Sequence, residues 1–417
     1  MVAGVFAGTI GVCIHVSMVD EVCVRGAPTM PCMTCPIDTL ADPLALATQP
    51  DPYPGYARWR QGPPLRFDPR SRLWVASRAD VVSALLAHPD LRVRPASESV
   101  PPALRGGCAG QVFARLVRMT DGTHHAQLKP ALRRAIGGAL LVRLPASARH
   151  AAREVSVAPL DAWLFTLPLY ALAHALGVED ASCAEVAQDG HAFAACVSTM
   201  ATPTQVLAAH HAARRLDDRF RAMVSHAPAD SPLAELRDAA PTDVDAVIAN
   251  LIGLFSQTCD GTAGLLGSSV RAWARECGLA ALLRARPEVL PDFVAEVARH
   301  DAPIQNTRRF VAAPSTVHGV DLAAGDAVLL LLAAANRDPA LNAAPDVFRL
   351  DRADRRTLGF GHGTHACPGQ TAAFTIATTG LQALLDARID LDALANDGGG
   401  FHASANARIP FFRTGAP

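Results

Sequence analysis

The feature that most constrains this chain is a glycine-rich loop near its C-terminus, Phe360-Gly361-His362-Gly363-Thr364-His365-Ala366-Cys367-Pro368-Gly369. Its glycines allow the backbone to approach a flat, bulky partner where a Cβ atom would clash, and proline is tolerated where a helix starts. Cys367 would lie beside the positive end of a helix predicted over residues 369–388, which favours the thiolate. Such a thiolate is an iron ligand. The alternative is a buried structural cysteine after a glycine loop.

The composition is that of a chain that can bury a large core. It has 417 residues, half of them hydrophobic, and a formal net charge of −1. This balance gives no reason to expect a nucleic-acid partner. The ten cysteines are scattered and do not form a disulfide framework, so we expect a reducing, cytoplasmic location.

Residues 1–38 differ from the rest of the chain. Residues 1–19 carry no charged side chain, but three glycines and several polar residues interrupt them and no basic flank precedes them. We therefore expect a poorly defined, disordered leader and no membrane anchor. Cys32 and Cys35 have the spacing of a redox or zinc site, without the strand and helix that usually surround one.

From residue 39 onward the pattern predicts one domain, mostly α with small β-sheets. The segment 243–276 would form a helix of about 50 Å at 1.5 Å per residue, enough to cross the domain. Strands are predicted at Leu73–Ala76 and within 308–332. The other predicted helices are 78–87, 111–118, 124–137, 150–177, 183–198, 204–225, 279–285 and 289–300.

The glycine-rich loop resembles the haem-binding signature F-G-x-G-x-H-x-C-x-G of the cytochrome P450 family. Glu296-Val-Ala-Arg299 resembles the family's E-x-x-R helix. The resemblance covers residues 39–417 and implies the single-domain cytochrome P450 fold, with haem b (iron protoporphyrin IX) bound to Cys367 as axial and metal ligand. It also implies a structural role for Glu296 and Arg299, paired with an arginine before the loop, either Arg349 or Arg352.

Haem carries two propionates that need cationic or hydrogen-bonding partners. The segment from Asp121 to Lys129 resembles the family's D-P-P-x-H-x-R-x-R pattern, although Gln127 and Lys129 replace two arginines and lysine lacks their planar fork. Arg309 has the family's usual propionate position after the E-x-x-R helix. The implied cofactor-binding residues are His125, Lys129, Arg309, Phe360, Gly361, His365, Cys367 and Gly369.

Asp260 interrupts the apolar run of the long predicted helix, and a carboxylate buried there is costly unless it is used or paired. The family's acid and threonine pair aligns with Asp260 and Gly261. The expected hydroxyl is therefore missing, and Thr262 stands one position late, about 100° around the helix. The predicted catalytic positions are Asp260, Gly261 and Thr262, with Asp260 as the acid and water or substrate in place of the hydroxyl.

By analogy with the family, the substrate pocket is lined by the segments 96–110, 198–205 and 403–405. Aromatic residues make up only 5% of the chain, so we expect aliphatic walls with a few polar groups and a medium-sized substrate. The individual pocket residues predicted in this way are Leu254, Gln257, Thr258, Ile304, Gln305 and Thr307.

The resemblance implies a haem-thiolate monooxygenase of the bacterial soluble type, acting as a monomer on a small molecule of secondary metabolism. O₂ and two electrons from a ferredoxin and its NAD(P)H-dependent reductase would be required. An acidic ferredoxin is expected to dock at arginines near the haem. These are Arg133, Arg134, Arg352, Arg355 and Arg356.

Two other readings stay open. The missing hydroxyl at Gly261 is also compatible with a haem-thiolate enzyme that catalyses oxidative coupling, dehydration or isomerisation. A haem-based sensor or carrier is the second. Turnover that depends on NAD(P)H and O₂ would separate the monooxygenase from both.

Overall fold

A computed structural model describes residues 40–198, 200–240, 243–276, 278–390, 393–394 and 399–413. The predicted leader, residues 1–38, with its cysteine pair, lies outside these ranges. Within them the chain forms fourteen α-helices and seven β-strands. The helices are α1 (Tyr53–Arg60), α2 (Ala79–Ala87), α3 (Cys108–Arg115), α4 (Gly122–Ala135), α5 (Leu141–Glu154), α6 (Leu160–Ala175), α7 (Asp180–Ala195), α8 (Pro203–Ser225), α9 (Pro232–Ala239), α10 (Val244–Arg275), α11 (Leu279–Ala285), α12 (Leu290–His300), α13 (Leu332–Asn336) and α14 (Gln370–Asp386).

The strands are short and form two sheets. Five of them pair in the order β1-β2-β7-β4-β3, with β2 and β7 parallel and the other neighbours antiparallel, while β5 and β6 form a separate hairpin. The predicted class, mostly α with small β-sheets, is confirmed. The strands are β1 (Arg66–Asp68), β2 (Leu73–Ala76), β3 (Leu91–Arg92), β4 (Thr307–Val311), β5 (Ser315–Val317), β6 (Val320–Leu322) and β7 (Ala327–Leu330).

The helix α10 runs through the centre of the helical part. Its 32 residues extend about 48 Å at 1.5 Å per residue. The Asp243 side chain caps its start by accepting a hydrogen bond from the Ala246 N–H at 2.9 Å. Phe255, Leu266 and Trp273 along this helix are buried, and it contacts α3, α6, α7, α12 and α14. A helix apolar on most of its circumference is stable only when other helices cover it.

The strand β4 carries side chains from the sheet toward the interior. Residues two apart on a strand point to the same face, and Arg309 and Val311 are both buried. The register places Arg309 opposite Val328 of the buried strand β7. The sheet therefore holds an arginine in an apolar setting.

Most predicted elements are observed within a few residues, and β2 is observed at its predicted bounds. The predicted helix over 150–177 is wrong, because two helices, α5 and α6, occupy this region with a break at residues 155–159. Pro159 disfavours helical conformation in the residue before it, and Val155 and Val157 are β-branched. Among the described residues, no helix combines the length and the apolar character that a membrane span requires.

Candidate active site

The loop from residue 358 to residue 369 is closed by its own backbone. The Gly361 N–H donates to the Leu358 carbonyl, and the Cys367 N–H donates to the Phe360 carbonyl, both at 2.8 Å. Gly361 and Gly363 have φ of +74° and +69°, a region that side chains disfavour. At Gly363 a Cβ atom would also come within 3.1 Å of the Ala87 Cα atom. The two glycines thus give the loop its shape.

The Cys367 sulfur is exposed and lies just before the first turn of α14. The Gly369 N–H donates a hydrogen bond to this sulfur at 3.3 Å. Behind the loop, the Phe360 ring packs edge-on against Phe374, with ring centroids 5.3 Å apart. A helix N-terminus and an N–H donor are the two features that favour a cysteine sulfur as a metal ligand, and the loop combines both at an exposed sulfur.

Three cationic side chains near this space lack a counter-ion. Within the described ranges, no carboxylate oxygen lies within 4 Å of the charged groups of Arg118, Lys129 or Arg309. Burial lowers the pKa of each group, and the charge of Cys367 opposes this shift for Arg118 and Lys129. Partly buried cations without a partner are costly, so this arrangement indicates an anionic ligand.

Two histidines of α4 also indicate an anionic ligand at this site. The Nε2 atoms of His124 and His125 are buried without a hydrogen-bond partner. Burial, followed by the charge of His365, lowers the pKa of His125 to about 4. The ring centroids of His125 and His365 are 4.2 Å apart. An unpartnered imidazole N–H can donate a hydrogen bond to a carboxylate group.

His365 is held by Asp121, the residue before α4. The His365 Nε2 atom lies 3.0 Å from one Asp121 oxygen, and the other oxygen accepts a hydrogen bond from the Val93 N–H at 3.0 Å. Burial raises the pKa of Asp121, but the hydrogen bonds from His365 and Val93 outweigh it and leave the pKa lowered. Asp121 therefore ties the cysteine loop to the start of α4.

These residues fit a haem. A cysteine sulfur, cations without a carboxylate partner and unpartnered imidazoles are the groups that an iron porphyrin with two carboxylates requires. The residues that would hold it are Cys367, His125, Lys129 and Arg309, with Arg118 in addition. Contacts from Phe360, Gly361, His365 and Gly369 stay predictions.

Glu296 and Arg299 form a completely buried ion pair behind the loop. Arg299 donates to both Glu296 oxygens, at 2.7 and 3.0 Å, and both side chains have 0% exposure. Arg352 and Arg355 also reach the Glu296 carboxylate, at 3.4 and 3.1 Å. Of the two candidate partners, Arg352 therefore contacts Glu296 through its side chain.

The Arg349 side chain does not take part in this network. It pairs with Asp351, and only its backbone N–H donates to Glu296, at 3.0 Å. Arg355, which the sequence analysis assigned to redox docking, takes a place in the network instead. Burial raises the pKa of Glu296, but the hydrogen bonds from Arg299, Arg349 and Arg355 leave it lowered. The carboxylate is therefore ionised and fully partnered.

On the opposite side of the site, α10 presents Asp260 and Gly261. A Cβ atom added to Gly261 would meet nothing within 4 Å, whereas the neighbouring Thr262 is 1% exposed. Burial raises the pKa of Asp260, and the charges of His191 and Arg118 oppose this shift. The empty space thus lies at the glycine and beside a carboxyl group that retains its proton to higher pH than usual.

Comparison with known proteins relates this chain to one protein family. The family model described as Cytochrome P450 matches residues 283–387, which include the Glu296–Arg299 pair and the cysteine loop. Cytochrome P450 144 of Mycobacterium tuberculosis is 34% identical over 227 residues, 53% of this chain and 52% of the relative. The chain thus matches about half the length of this relative. The chain thus resembles the cytochrome P450 family.

A second relative is matched over most of its length. The putative cytochrome P450 140 of Mycobacterium bovis is 27% identical over 85% of this chain and 86% of the relative. Among solved structures, epothilone B-bound cytochrome P450epoK superposes with a TM-score of 0.76 at 20% identity, covering 89% of this chain and 97% of that one. This likeness shows the cytochrome P450 fold.

Two histidines whose charges act on Asp260 were not predicted from the sequence. The His191 Nδ1 atom on α7 lies 3.4 Å from the Cys259 sulfur, and the charges of His191 and His402 both act on Asp260. The His402 Nε2 atom lies 3.0 Å from the half-exposed Asp161. Phe165 packs edge-on against both rings, at 5.1 and 5.4 Å. Titratable groups thus extend from Asp260 toward solvent.

Arg118 was also missed. It stands in the apolar sequence Leu116-Val117-Arg118-Met119, three residues before Asp121. A lone arginine in such a run is the signal that could have identified it, because an isolated buried cation needs a partner. His191 and His402 have no comparable signal, since each is remote in sequence from Asp260.

The substrate-pocket prediction needs one correction. Gln305 is fully buried, with its Oε1 atom accepting from the Tyr56 hydroxyl at 2.8 Å and its Nε2 atom donating to the Ala302 carbonyl at 2.6 Å. Its side chain is therefore part of the packing against α1 and is not available to a substrate. The physical reason is that β-bridge pairing of Ile304 with Ala407 sets which way the next side chain points.

The other predicted pocket residues differ in burial and in hydrogen bonding. Leu254 and Ile304 are partly buried against the core, and Thr258 and Thr307 are partly exposed. The Gln257 side chain is exposed and folds back on α10, donating to the Gly253 carbonyl at 2.8 Å. The main chain of Ala405 accepts a hydrogen bond from Asn306 at 2.9 Å, which brings 403–405 beside β4.

The structure also brings two predicted loops together. A cavity of about 350 Å³ is lined by Ala103 from 96–110, by Ala201 and Pro203 from 198–205, and by Val206, Leu207 and His210 of α8. Its walls are mostly aliphatic. A second, larger cavity, of about 610 Å³ beside Tyr53 and His300, shares no residue with the predicted site. The smaller cavity is thus the one that contains residues of the predicted pocket segments.

Proposed function

We propose that this chain is a haem-thiolate monooxygenase that oxidises a small organic molecule. The observation that carries the proposal is the closed glycine loop, which presents the Cys367 sulfur with an N–H hydrogen bond from Gly369. The unpaired Arg118, Lys129 and Arg309 support it, because they supply charge for the haem propionates.

When bound, haem supplies oxygen activation, with electrons from a ferredoxin and its NAD(P)H-dependent reductase. As the metal ligand, Cys367 would supply electron density to the iron. Burial raises the pKa of Asp260, which favours its protonated form, and its carboxyl group would be the local proton donor. Gly261 leaves room beside this donor for a water molecule or a substrate hydroxyl.

We expect His191 and His402 to return protons to Asp260. Both charges act on the Asp260 carboxyl group, and His402 contacts a carboxylate that reaches solvent. The two ring nitrogens of an imidazole allow it to accept a proton at one side and donate one at the other, which suits this role. The route would replace the missing hydroxyl without requiring Thr262.

The substrate we expect is a medium-sized, mostly aliphatic intermediate of secondary metabolism. Ala103, Ala201, Pro203 and Leu207 support this expectation, because they make an apolar entrance. The polar contacts that orient it would come from Gln257 and Thr258 on α10, which stand one turn before the acid.

The first test is spectroscopic. The carbon monoxide adduct of the reduced, haem-loaded protein should show the red-shifted Soret band of thiolate ligation, and Cys367→His should abolish this band while haem is still bound. Cys259→Ser serves as a control, because that cysteine is buried inside α10 and should leave the band unchanged. A parent protein with the band of histidine ligation, or with no haem, contradicts the proposal.

The alternative of oxidative coupling, dehydration or isomerisation is supported by Gly261, where the hydroxyl is absent and the space is open. Mass spectrometry of products, formed with redox partners and ¹⁸O₂ from metabolites of the producing cell, separates the two. One labelled oxygen atom in the product indicates monooxygenation. A product without label indicates the alternative chemistry, and turnover that does not depend on NAD(P)H and O₂ excludes the monooxygenase.

A further inference from the structure

Away from the haem site, three helices bring two histidines and an aspartate together. His150 lies in the last turns of α5, His174 in the last turn of α6, and Asp180 is the first residue of α7. A short connection from α6 to α7 places Asp180 back against the end of α6. None of the three contacts a residue assigned to the active site.

The three ligand atoms have the separation of a metal site. The Asp180 Oδ1 atom lies 3.1 Å from His150 Nε2 and 3.5 Å from His174 Nε2, and all three atoms lie within 4.8 Å of one another. In a tetrahedral zinc site with bonds near 2.0 Å, ligand atoms are about 3.3 Å apart. Only small side-chain movements would therefore be needed to surround one cation.

A partner on the far side of one ring fixes its orientation. The Ser147 hydroxyl, which is almost fully buried, lies 2.9 Å from His174 Nδ1. A hydrogen bond at one ring nitrogen directs the other nitrogen toward a metal, and such outer partners accompany most metal-bound histidines. Ser147 thus turns the His174 Nε2 atom toward Asp180.

The cluster is open to solvent on one side. The side chains of His150, His174 and Asp180 are 20%, 30% and 63% exposed. A cation could enter from solvent and keep a water molecule as its fourth ligand. Two imidazoles and one carboxylate are the ligand types that Zn²⁺ accepts, and they suit calcium or magnesium poorly because those cations prefer oxygen ligands.

We propose that His150, His174 and Asp180 form a binding site for one Zn²⁺ ion, or a similar transition-metal cation, that joins α5, α6 and α7. The ion would act as a cross-link between helix ends and would take no part in the oxidation. The site is independent of the proposed function, since neither haem nor substrate is required for it.

The test is zinc binding by the haem-loaded full chain, measured by titration calorimetry and by metal content after equilibrium dialysis. Cysteines elsewhere in the chain can also bind zinc. The readout is therefore the difference in zinc stoichiometry between the parent and each variant. We expect the parent to bind one equivalent more than His150→Ala, His174→Ala or Asp180→Asn. His211→Ala, which removes an exposed histidine of α8, should retain the parent value.

Two further measurements make the test specific. Ser147→Ala should keep the stoichiometry and weaken zinc binding about 10-fold, as expected for loss of an outer partner. Zinc should raise the unfolding temperature of the parent and not that of Asp180→Asn, whose side chain keeps the shape of the native one. A far-UV circular dichroism spectrum equal to that of the parent shows that the zinc-free variants are folded.

Equal stoichiometry in the parent and in folded Asp180→Asn would overturn the proposal, and the cluster would then be a hydrogen-bonded histidine pair only. A loss of zinc in His211→Ala equal to that in His150→Ala would overturn it as well. Neither outcome would affect the carbon monoxide spectrum, so the two proposals fail separately.

Discussion

The two sides of the candidate haem site differ in how completely their charges are paired. On the side of the cysteine loop, Glu296 is buried and contacted by Arg299, Arg352 and Arg355. On the side of α10, Asp260 has no arginine or lysine within 4 Å among the described residues, and Gly261 borders open space. The first side is fixed before any ligand binds. The second has a carboxyl group without a cationic partner and an unfilled space beside it.

This difference has a physical reason. A buried, fully hydrogen-bonded ion-pair network holds a backbone in one arrangement, because any displacement leaves a charge unpaired. A carboxyl group whose pKa is raised by burial stays reactive only where nothing neutralises it. We infer that the loop side of the site is the scaffold and that the α10 side carries the chemistry.

The largest expected effect is on the paired side. Glu296→Gln leaves three arginines around a neutral group, which should lower the free energy of unfolding by about 3–5 kcal/mol and reduce haem content. Asp292→Asn is a matched control, because Asp292 pairs with Arg355 at 3.3 Å from an exposed position and should change stability by less than about 1 kcal/mol. Urea unfolding measures both. Equal effects of the two variants would mean that the network does not stabilise the loop.

The next effect is on the open side. Asp260→Asn should slow product formation by about 10²-fold and leave the substrate dissociation constant unchanged, because a proton donor is lost and a similar shape is retained. Steady-state rates and substrate-induced spectral shifts measure the two quantities. Because the pKa of Asp260 is raised, the parent rate should fall as pH rises through that pKa, and this dependence should vanish in the variant.

Thr262→Val tests the alignment around Asp260. It removes the hydroxyl and keeps the volume of a residue that is almost fully buried, so the rate should stay close to that of the parent. A severe loss with rising peroxide release would identify Thr262 as the catalytic hydroxyl. The alignment that places Gly261 at the position of the catalytic hydroxyl would then be wrong by one residue.

A smaller effect tests the open space itself. Gly261→Ala should raise the free energy of unfolding by about 0.5–1 kcal/mol, because alanine favours helix and its Cβ meets nothing within 4 Å. Gly264→Ala, one turn later, should lower it by about 1–3 kcal/mol, since its Cβ would lie 2.8 Å from Pro303 Cβ and 2.9 Å from the Arg408 carbonyl oxygen. Thermal unfolding of the haem-loaded proteins measures the change in stability of each variant. The same sign for both variants would contradict the difference in packing.

The smallest effect concerns electron supply. Of the five arginines expected to receive a ferredoxin, Arg352 and Arg355 are committed to Glu296, with side chains only 6% and 13% exposed. Arg133, Arg134 and Arg356 are exposed and remain available. The docking surface predicted from the sequence therefore contracts to these three residues.

Arg133→Gln and Arg134→Gln should each slow reduction by an acidic ferredoxin by about 2–10-fold at low salt, with the difference disappearing at high salt. Stopped-flow reduction at several ionic strengths measures this. Arg214→Gln on α8 is the control, because α8 packs against α3 and α7 and not against the cysteine loop. Rates that do not change with ionic strength would exclude this surface.

The sequence alone predicted the parts of the site that are contiguous in the chain. The cysteine loop, the Glu296–Arg299 pair and the Asp260–Gly261 step each depend on residues within one turn or one loop. Local geometry determines their relation, because side chains three or four apart on a helix must share a face. The helical class and the bounds of β2 followed from periodicity for the same reason.

Only the tertiary structure decided which distant residues meet these local motifs. Arg118 and Arg309 come from separate segments of the chain. The charge of His191 on α7 acts on Asp260 of α10. Arg355 contacts the Glu296 carboxylate, where the Arg349 side chain was a candidate. Gln305 was assigned to the pocket, yet strand pairing turned it into the core. Such contacts depend on how helices and strands pack across long sequence separations. The spacing of residues within the chain does not predict them, because each side chain has several chemically equivalent partners to choose from.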